Sequence, residues 1–202
     1  MTETLSAESQ RNRVCPVELA DSLDSRVRRW IQNPMRILAP YVREGMTVLD
    51  VGCGPGFFSI ELAKIVGNEG RVIAVDLQEG MLDKLRKKIE GSALEERIQL
   101  VKCEQNNLNV SGNVDFILTF YMVHEVPDKE KLFKQLADLL DDRGQFLIVE
   151  PKLFHVSRGE FQTTLSIAEH HGFEINRGPH LLASWCAVLR KKPPAKMERS
   201  TK

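Results

Sequence analysis

The stretch Val48-Leu49-Asp50-Val51-Gly52-Cys53-Gly54-Pro55-Gly56-Phe57-Phe58-Ser59-Ile60 constrains this chain more than any other. An apolar, strand-forming run meets a glycine at every second position and then enters a helical pattern. Glycine belongs where the backbone turns sharply or must let a ligand approach closely. The helix that follows opens with N–H groups that lack partners inside it, which suits a polar ligand. In an open α/β sheet, ligands bind beyond the carboxyl ends of the strands, where such a loop would lie.

The spacing separates two ligand classes. A dinucleotide site wants G-x-G-x-x-G/A, but here the glycines run G-x-G-x-G and Phe57 takes the place of the third small residue. Asp50 beside the loop would repel a pyrophosphate and attract an ammonium group. No G-K-[ST] follows, which excludes a Walker-type phosphate loop. A nucleoside with a zwitterionic tail fits better than a phosphate. Asp76 ends the next strand candidate, 22 residues beyond Gly54. A carboxylate there can accept from both hydroxyls of a ribose, and Leu77 can cover one face of the base. The competing role for Asp76 is to cap the following helix.

Elsewhere, short apolar runs alternate with amphipathic ones. Thr47–Val51, Val72–Asp76, Ile98–Lys102, Asp115–Phe120 and Gln145–Val149 read as strands. Helical patterns at Phe57–Val66, Glu79–Glu90 and Lys129–Leu140 separate most of them, with Gly67, Gly91 and Gly144 as breakers. Strands that are apolar nearly throughout and joined by helices imply a parallel sheet covered on both faces. A helix over Arg158–His171 and two strands, Phe173–Arg177 and Leu182–Leu189, follow. That pair is close enough to form an antiparallel hairpin. Ahead of the sheet, Ser22–Ile31 and Pro34–Val42 look helical, and Arg26–Trp30 is basic with an apolar side.

Composition narrows the function. The 202 residues hold 28 Lys plus Arg and 28 Asp plus Glu, so the chain exerts no overall pull on nucleic acid or anionic membrane. Cys15, Cys53, Cys103 and Cys186 are scattered, with no C-x-x-C pair and no zinc spacing. No run approaches the roughly 20 apolar residues that span a bilayer, and Met1–Arg13 lacks the apolar core of a signal peptide. These features predict a soluble cytoplasmic protein with free thiols and no metal. Residues 1–43 are expected to form a tail and helices that could cover an active site, 44–191 the main domain, and 192–202 a basic tail.

The motifs resemble those of class I S-adenosylmethionine-dependent methyltransferases, in particular the small-molecule enzymes of the ubiquinone/menaquinone-biosynthesis type. The resemblance runs over roughly Glu44 to Lys191. Leu49 to Gly56 is similar to that family's first motif, and Asp76 falls on its ribose-binding acid. Cys103 to Leu108 aligns with its G-D-A-x-x-L segment, Asp115 to Asp128 with its fourth-strand motif and Gly144 to Glu150 with its fifth. The resemblance implies a Rossmann-like α/β fold: seven strands in the order 3-2-1-4-5-7-6, mostly parallel, the last antiparallel, with helices on both faces. It also implies S-adenosylmethionine as cofactor. Asp50 and Gly52 would then face the methionyl amino and carboxylate end, Asp76 would hold the ribose and Leu77 would touch the adenine, with Cys53, Gly54 and Gly56 also binding the cofactor. Glu104 and the Gln105 backbone would lie at the adenine amino edge, and Phe120 would line the cofactor. Cys103-Glu104 departs from the family's usual Gly-Asp.

Methyl transfer from a sulfonium is an in-line displacement that depends chiefly on alignment, so no catalytic signature need be visible. A general base matters only where the acceptor must lose a proton. His124 is the first candidate, at a strand end on the cofactor side, with Tyr121 and His155 as weaker ones. Glu125 also faces this side, whereas His170 and His171 read as structural at a helix end. The leading expectation is transfer to a small-molecule acceptor. Alternatives are a protein or RNA acceptor, a catalytically silent cofactor-binding subunit, and arsenite methylation through convergent thiolates.

Overall fold

A computed structural model describes residues 32–152 and 155–193. The helix expected at Ser22–Ile31, the Arg26–Trp30 segment, Cys15, the N-terminal tail and all of the C-terminal tail beyond Pro193 lie outside the described residues. The order is α1 (Pro34–Leu38), β1 (Thr47–Val51), α2 (Ser59–Val66), β2 (Arg71–Asp76), α3 (Glu79–Ile89), β3 (Ile98–Lys102) and β4 (Val114–Phe120). A 3-10 turn at Val123–Glu125 leads into α4 (Lys129–Leu139), β5 (Leu140–Pro151), α5 (Arg158–His170), β6 (Phe173–Arg177) and β7 (Ser184–Lys191).

The strands form one sheet in the order β3-β2-β1-β4-β5-β7-β6, as expected. Pairings among β1 to β5 are parallel, and β7 runs antiparallel to both β5 and β6. Alternation of side chains along each strand feeds two cores. Val48, Ala74, Phe116, Leu118 and Leu147 pack under α1, α2 and α3, against Leu38, Leu62, Val66, Leu82 and Leu85. Leu49, Ile73, Ile117, Phe146 and Ile148 pack under α4 and α5, against Phe133, Leu136, Phe161 and Leu165. The buried positions of α3 (Met81, Leu82, Leu85, Ile89) and α4 (Leu132, Phe133, Leu136, Leu139) follow the helical period. The chain leaves β1 toward β2 and β3, then returns to place β4 on the other side. The switch point of the sheet thus lies between β1 and β4, and ligands of such sheets bind beyond the carboxyl ends of the strands there.

Several boundaries move for identifiable reasons. The first helix stops at Leu38 instead of Val42, because Pro40 has no N–H to donate back to Arg36. Phe57 and Phe58 belong to the turn after Gly56, so α2 starts at Ser59. Strand β5 begins at Leu140 and absorbs Gly144, expected to be a breaker, through a shift in its pairing with β4 between Val114 and Phe116. A Cβ at Gly144 would lie 2.6 Å from Leu140 Cδ1 and 3.0 Å from the Asp115 carbonyl, so glycine is needed for close approach at that irregularity. Strand β7 starts at Ser184 instead of Leu182, because Ala183 turns through φ +56° and Ser184 N–H bonds the Leu181 carbonyl. No helix among the described residues is long and apolar enough to cross a membrane.

Candidate functional site

The glycine loop is held from below by β2. Gly52 and Cys53 both donate their N–H to the Val75 carbonyl, at 2.8 and 3.0 Å. Gly54 N–H donates to Asp76 Oδ2 at 2.9 Å, and Lys88 Nζ of α3 reaches the Pro55 carbonyl at 2.8 Å. Gly52, Gly54 and Gly56 all have positive φ, at +72°, +54° and +87°. Their surroundings differ. A Cβ on Gly52 would lie 2.9 Å from Met122, and one on Gly56 only 2.2 Å from Leu85 Cδ1, whereas one on Gly54 would meet nothing within 4 Å. Two of the glycines are there for packing, and Gly54 alone presents bare backbone to open space.

Two buried carboxylates stand near the loop, and Asp76 is bonded to Gly54 itself. Asp50 is only 2% exposed, and its Oδ2 accepts from Ser59 Oγ at 2.6 Å, tying the end of β1 to the first residue of α2. Asp76, 7% exposed, also accepts from Gln78 N–H at 2.8 Å through Oδ1. It therefore ties the glycine loop to Gln78, the residue that opens α3, without being the helix cap, and its acceptor positions outnumber the N–H groups around it. Burial raises the Asp76 pKa, and the N–H groups of Gln78, Gly54 and Leu77 offset this only in part. The fields of both acids reach Cys53, whose thiol is pushed well up, first by burial and then by Asp50 and Asp76. Cys103 and Cys186 are each pushed up to about 11, chiefly by burial. All three described thiols thus stay protonated at neutral pH, and no described group of His, Cys, Asp and Glu side chains is arranged to hold a metal.

Beyond Asp76, Leu77 is 41% exposed, an apolar side chain left uncovered at a strand end. Glu104 and Gln105 are exposed, in a turn closed by the Glu104 N–H to Asn107 carbonyl bond of 2.8 Å. Gln105 borders a groove of about 540 Å³ shared with Asp128, Lys129 and Ile167. Bare backbone at Gly54, two carboxylates and an exposed apolar residue match a cationic, zwitterionic nucleoside such as S-adenosylmethionine. They do not match a polyphosphate.

At the end of β4, Phe120 lies in an aromatic file from the loop to Tyr121. Ring centroids are 5.0 Å apart for Phe57–Phe58, 4.3 Å for Phe58–Phe120 and 4.5 Å for Phe120–Tyr121. Tyr121 has φ +61°, an uncommon conformation for a bulky residue. Its hydroxyl accepts from Gln32 Nε2 at 2.9 Å and sits 2.6 Å from Ser184 Oγ. Ser184 spends its own proton on the Leu182 carbonyl, so Tyr121 donates to Ser184. That hydroxyl pins three segments together, and its proton is already engaged.

His124 and His155 do come together, with ring centroids 6.0 Å apart. The sequence reading missed the partner of His124. Glu150, at the end of β5 and 2% exposed, accepts from Val123 N–H at 3.0 Å, His124 N–H at 3.1 Å and His124 Nδ1–H at 2.7 Å. Burial acts to lower the His124 pKa, but the Glu150 bond and charge, with Glu125, outweigh it and the net shift is upward. An acidic residue closing an otherwise apolar strand was the available signal.

A glycine loop and paired acids at the switch point of a seven-stranded α/β sheet define a nucleoside-binding domain of Rossmann-like build. The chain belongs to the methyltransferase-domain family, whose model matches residues 42–189. Over 110 residues it is 34% identical to a demethylmenaquinone methyltransferase of Lactobacillus johnsonii, covering 54% of this chain and 45% of that one. A ubiquinone/menaquinone biosynthesis C-methyltransferase of Haemophilus ducreyi is 31% identical over 110 residues, 54% of this chain and 42% of its own. The chain thus spans about half the length of the curated relatives it matches. A solved SAM-dependent methyltransferase from Aquifex aeolicus superposes with a TM-score of 0.76 at 28% identity, covering 87% of this chain and 97% of that one.

Proposed function

We propose that this chain, a methyltransferase by family, transfers a methyl group from S-adenosylmethionine to a small-molecule acceptor, with a quinone-type ring favoured by the names of its relatives. The observation that carries the reading is the open backbone of Gly54, whose N–H is held by the buried Asp76 carboxylate. When bound, the cofactor supplies an electrophilic methyl group on a sulfonium. The loop of Gly52, Cys53, Gly54 and Gly56 borders the cofactor, with Gly54 giving it bare backbone and Gly52 and Gly56 letting the loop pack closely beneath, and the nearby Asp50 charge favours the ammonium. Asp76 accepts from the ribose, Leu77 covers the adenine, and Glu104 and Gln105 meet the adenine edge. The aromatic file that includes Phe120 makes a dry wall, which favours a displacement in which charge is dispersed. His124 stands on the acceptor side as the base where the acceptor must lose a proton.

Two measurements test this. S-adenosylmethionine or its demethylated product should raise the Tm by binding only the native state, whereas NAD and ATP should not. Radiolabelled methyl groups transferred into cell extract should then appear in the small-molecule fraction. Stabilisation by NAD alone would refute the cofactor assignment, and label confined to RNA or protein would refute the acceptor class.

A further inference from the structure

Glu150 does more than a backbone cap requires. A carboxylate at this depth is costly unless its lone pairs are filled. The N–H groups of Val123 and His124 already fill one position on each oxygen and secure the turn after β4. The third and shortest bond, 2.7 Å, goes to a side chain: the imidazole of His124, which retains 21% exposure at the turn that follows β4. An ionised carboxylate only accepts, so the bond identifies Nδ1 as the protonated nitrogen and leaves the lone pair on Nε2.

We infer that Glu150 is the positioning residue of the acceptor site, holding His124 in the Nδ1–H tautomer with Nε2 as the nitrogen that takes the acceptor's proton. This rests on the methyl-transfer reading above. In the step it serves, an O–H or C–H bond of the acceptor breaks and its proton forms an N–H bond at Nε2. The electron pair stays on the acceptor as the nucleophile for the methyl group. The imidazolium that results faces the Glu150 carboxylate, which stabilises the charge as it forms and keeps the ring from turning. Other groups also act on this ring: Glu125 from its own turn, Lys129 from α4, His155 from the segment after β5, and Glu160 from α5. Glu150 is the one seen bonding Nδ1, and its hydrogen bond and charge are the largest of the effects that oppose burial, with Glu125 adding to them.

The first test needs no cofactor and no turnover. Long-range ¹H–¹⁵N correlation spectra of the full chain should show His124 as the Nδ1–H tautomer at pH values above its pKa. A wild-type Nε2–H tautomer overturns the proposal even if no variant folds. In Glu150→Gln the His124 pKa should fall, since neutralising the carboxylate removes what raised it. With acceptor in hand, kcat should drop by about 10- to 10³-fold with KM and cofactor affinity held within about twofold, an affinity difference under 0.5 kcal/mol. Glu150→Asp, which keeps the charge, should recover part of kcat. An unchanged pH–rate profile in Glu150→Gln overturns the positioning role. A wild-type Nδ1–H tautomer in a protein that methylates no small molecule supports the pairing and counts against the functional reading instead.

Discussion

Exchanging Gly54 and Gly56 in turn for alanine separates ligand approach from packing within one loop. Both have positive φ, +54° and +87°, so an L-residue at either position bears the left-handed penalty of about 1–2 kcal/mol. For Gly54→Ala nothing is added to that, because the new Cβ has no neighbour within 4 Å. The Tm should fall by about 2–8 °C, at roughly 2–4 °C per kcal/mol for a domain of this size. The methyl group nonetheless stands where the cofactor must approach the backbone. Affinity for the demethylated cofactor should therefore weaken by at least about 10-fold, or 1.4 kcal/mol. Gly56→Ala reverses the balance. Its Cβ would lie 2.2 Å from Cδ1 of Leu85, a side chain with 0% exposure, so the core must shift. Overpacking adds about 1–3 kcal/mol, for a total of about 2–5 kcal/mol and a Tm lower by about 4–20 °C. Differential scanning fluorimetry and titration calorimetry on the two variants read both quantities. A folded Gly54→Ala protein with wild-type affinity would refute the assignment of that opening to the cofactor, and a wild-type Tm in Gly56→Ala would refute the packing argument.

Asp76→Ala should weaken cofactor binding by about 10- to 150-fold, the loss of a charged hydrogen-bond partner at about 1.5–3 kcal/mol. Part of the lost loop anchoring is offset because a desolvated carboxylate leaves the interior, so circular dichroism should remain native; unchanged affinity would leave Asp76 as an anchor of the Gly54 and Gln78 backbone alone. His124→Ala should lower kcat by about 10²- to 10⁴-fold with little change in cofactor affinity. In the wild type, activity should be lost as pH falls through a His124 pKa that Glu150 holds above the ordinary imidazole value. The same upward shift means that the stability contributed by His124 is full below the unfolded-state pKa and is lost as pH rises through the folded one. Denaturant titration of His124→Ala should accordingly show a larger deficit in mildly acid than in alkaline buffer. Tyr121→Phe should lower the Tm by about 2–4 °C, the loss of roughly 1 kcal/mol of hydrogen bonding, and leave the pH–rate profile in place; a shifted profile would make Tyr121 a base.

Elements whose signal is local were legible. Thr47–Val51, Ile98–Lys102 and Phe173–Arg177 stand where their apolar patterns put them, and α5 begins where Ser157 and Glu160 form a capping box. The strand order came from the family resemblance, since periodicity alone does not say which strands are neighbours. The errors cluster where distant contacts decide. Gly144 reads as a breaker along the chain, yet in the sheet it lets β5 pass close to Asp115 of β4. Ala183 gives no sign that it adopts φ +56°, because that follows from the fit of Ser184 against Pro151 and Tyr121.

The candidate site divides along the same line. Glycines at alternate positions and an acid 22 residues on are legible because backbone freedom and strand length impose their spacing. What each glycine is for depends on Met122 and Leu85, which lie far along the chain and have no motif linking them to the loop. The acceptor side is built almost wholly from such long-range pairs. Tyr121 carries no sign in the sequence that its hydroxyl meets Ser184, 63 residues away. His124 gained its standing from Glu150, 26 residues away, which in sequence is only an acid closing an apolar strand. Parallel pairing makes that meeting inevitable once β4 and β5 are neighbours. With Phe120 beside Val149, the next residue of β5 falls under the turn that follows β4, so an acid there must find donors in Val123 and His124 or bear an uncompensated buried charge.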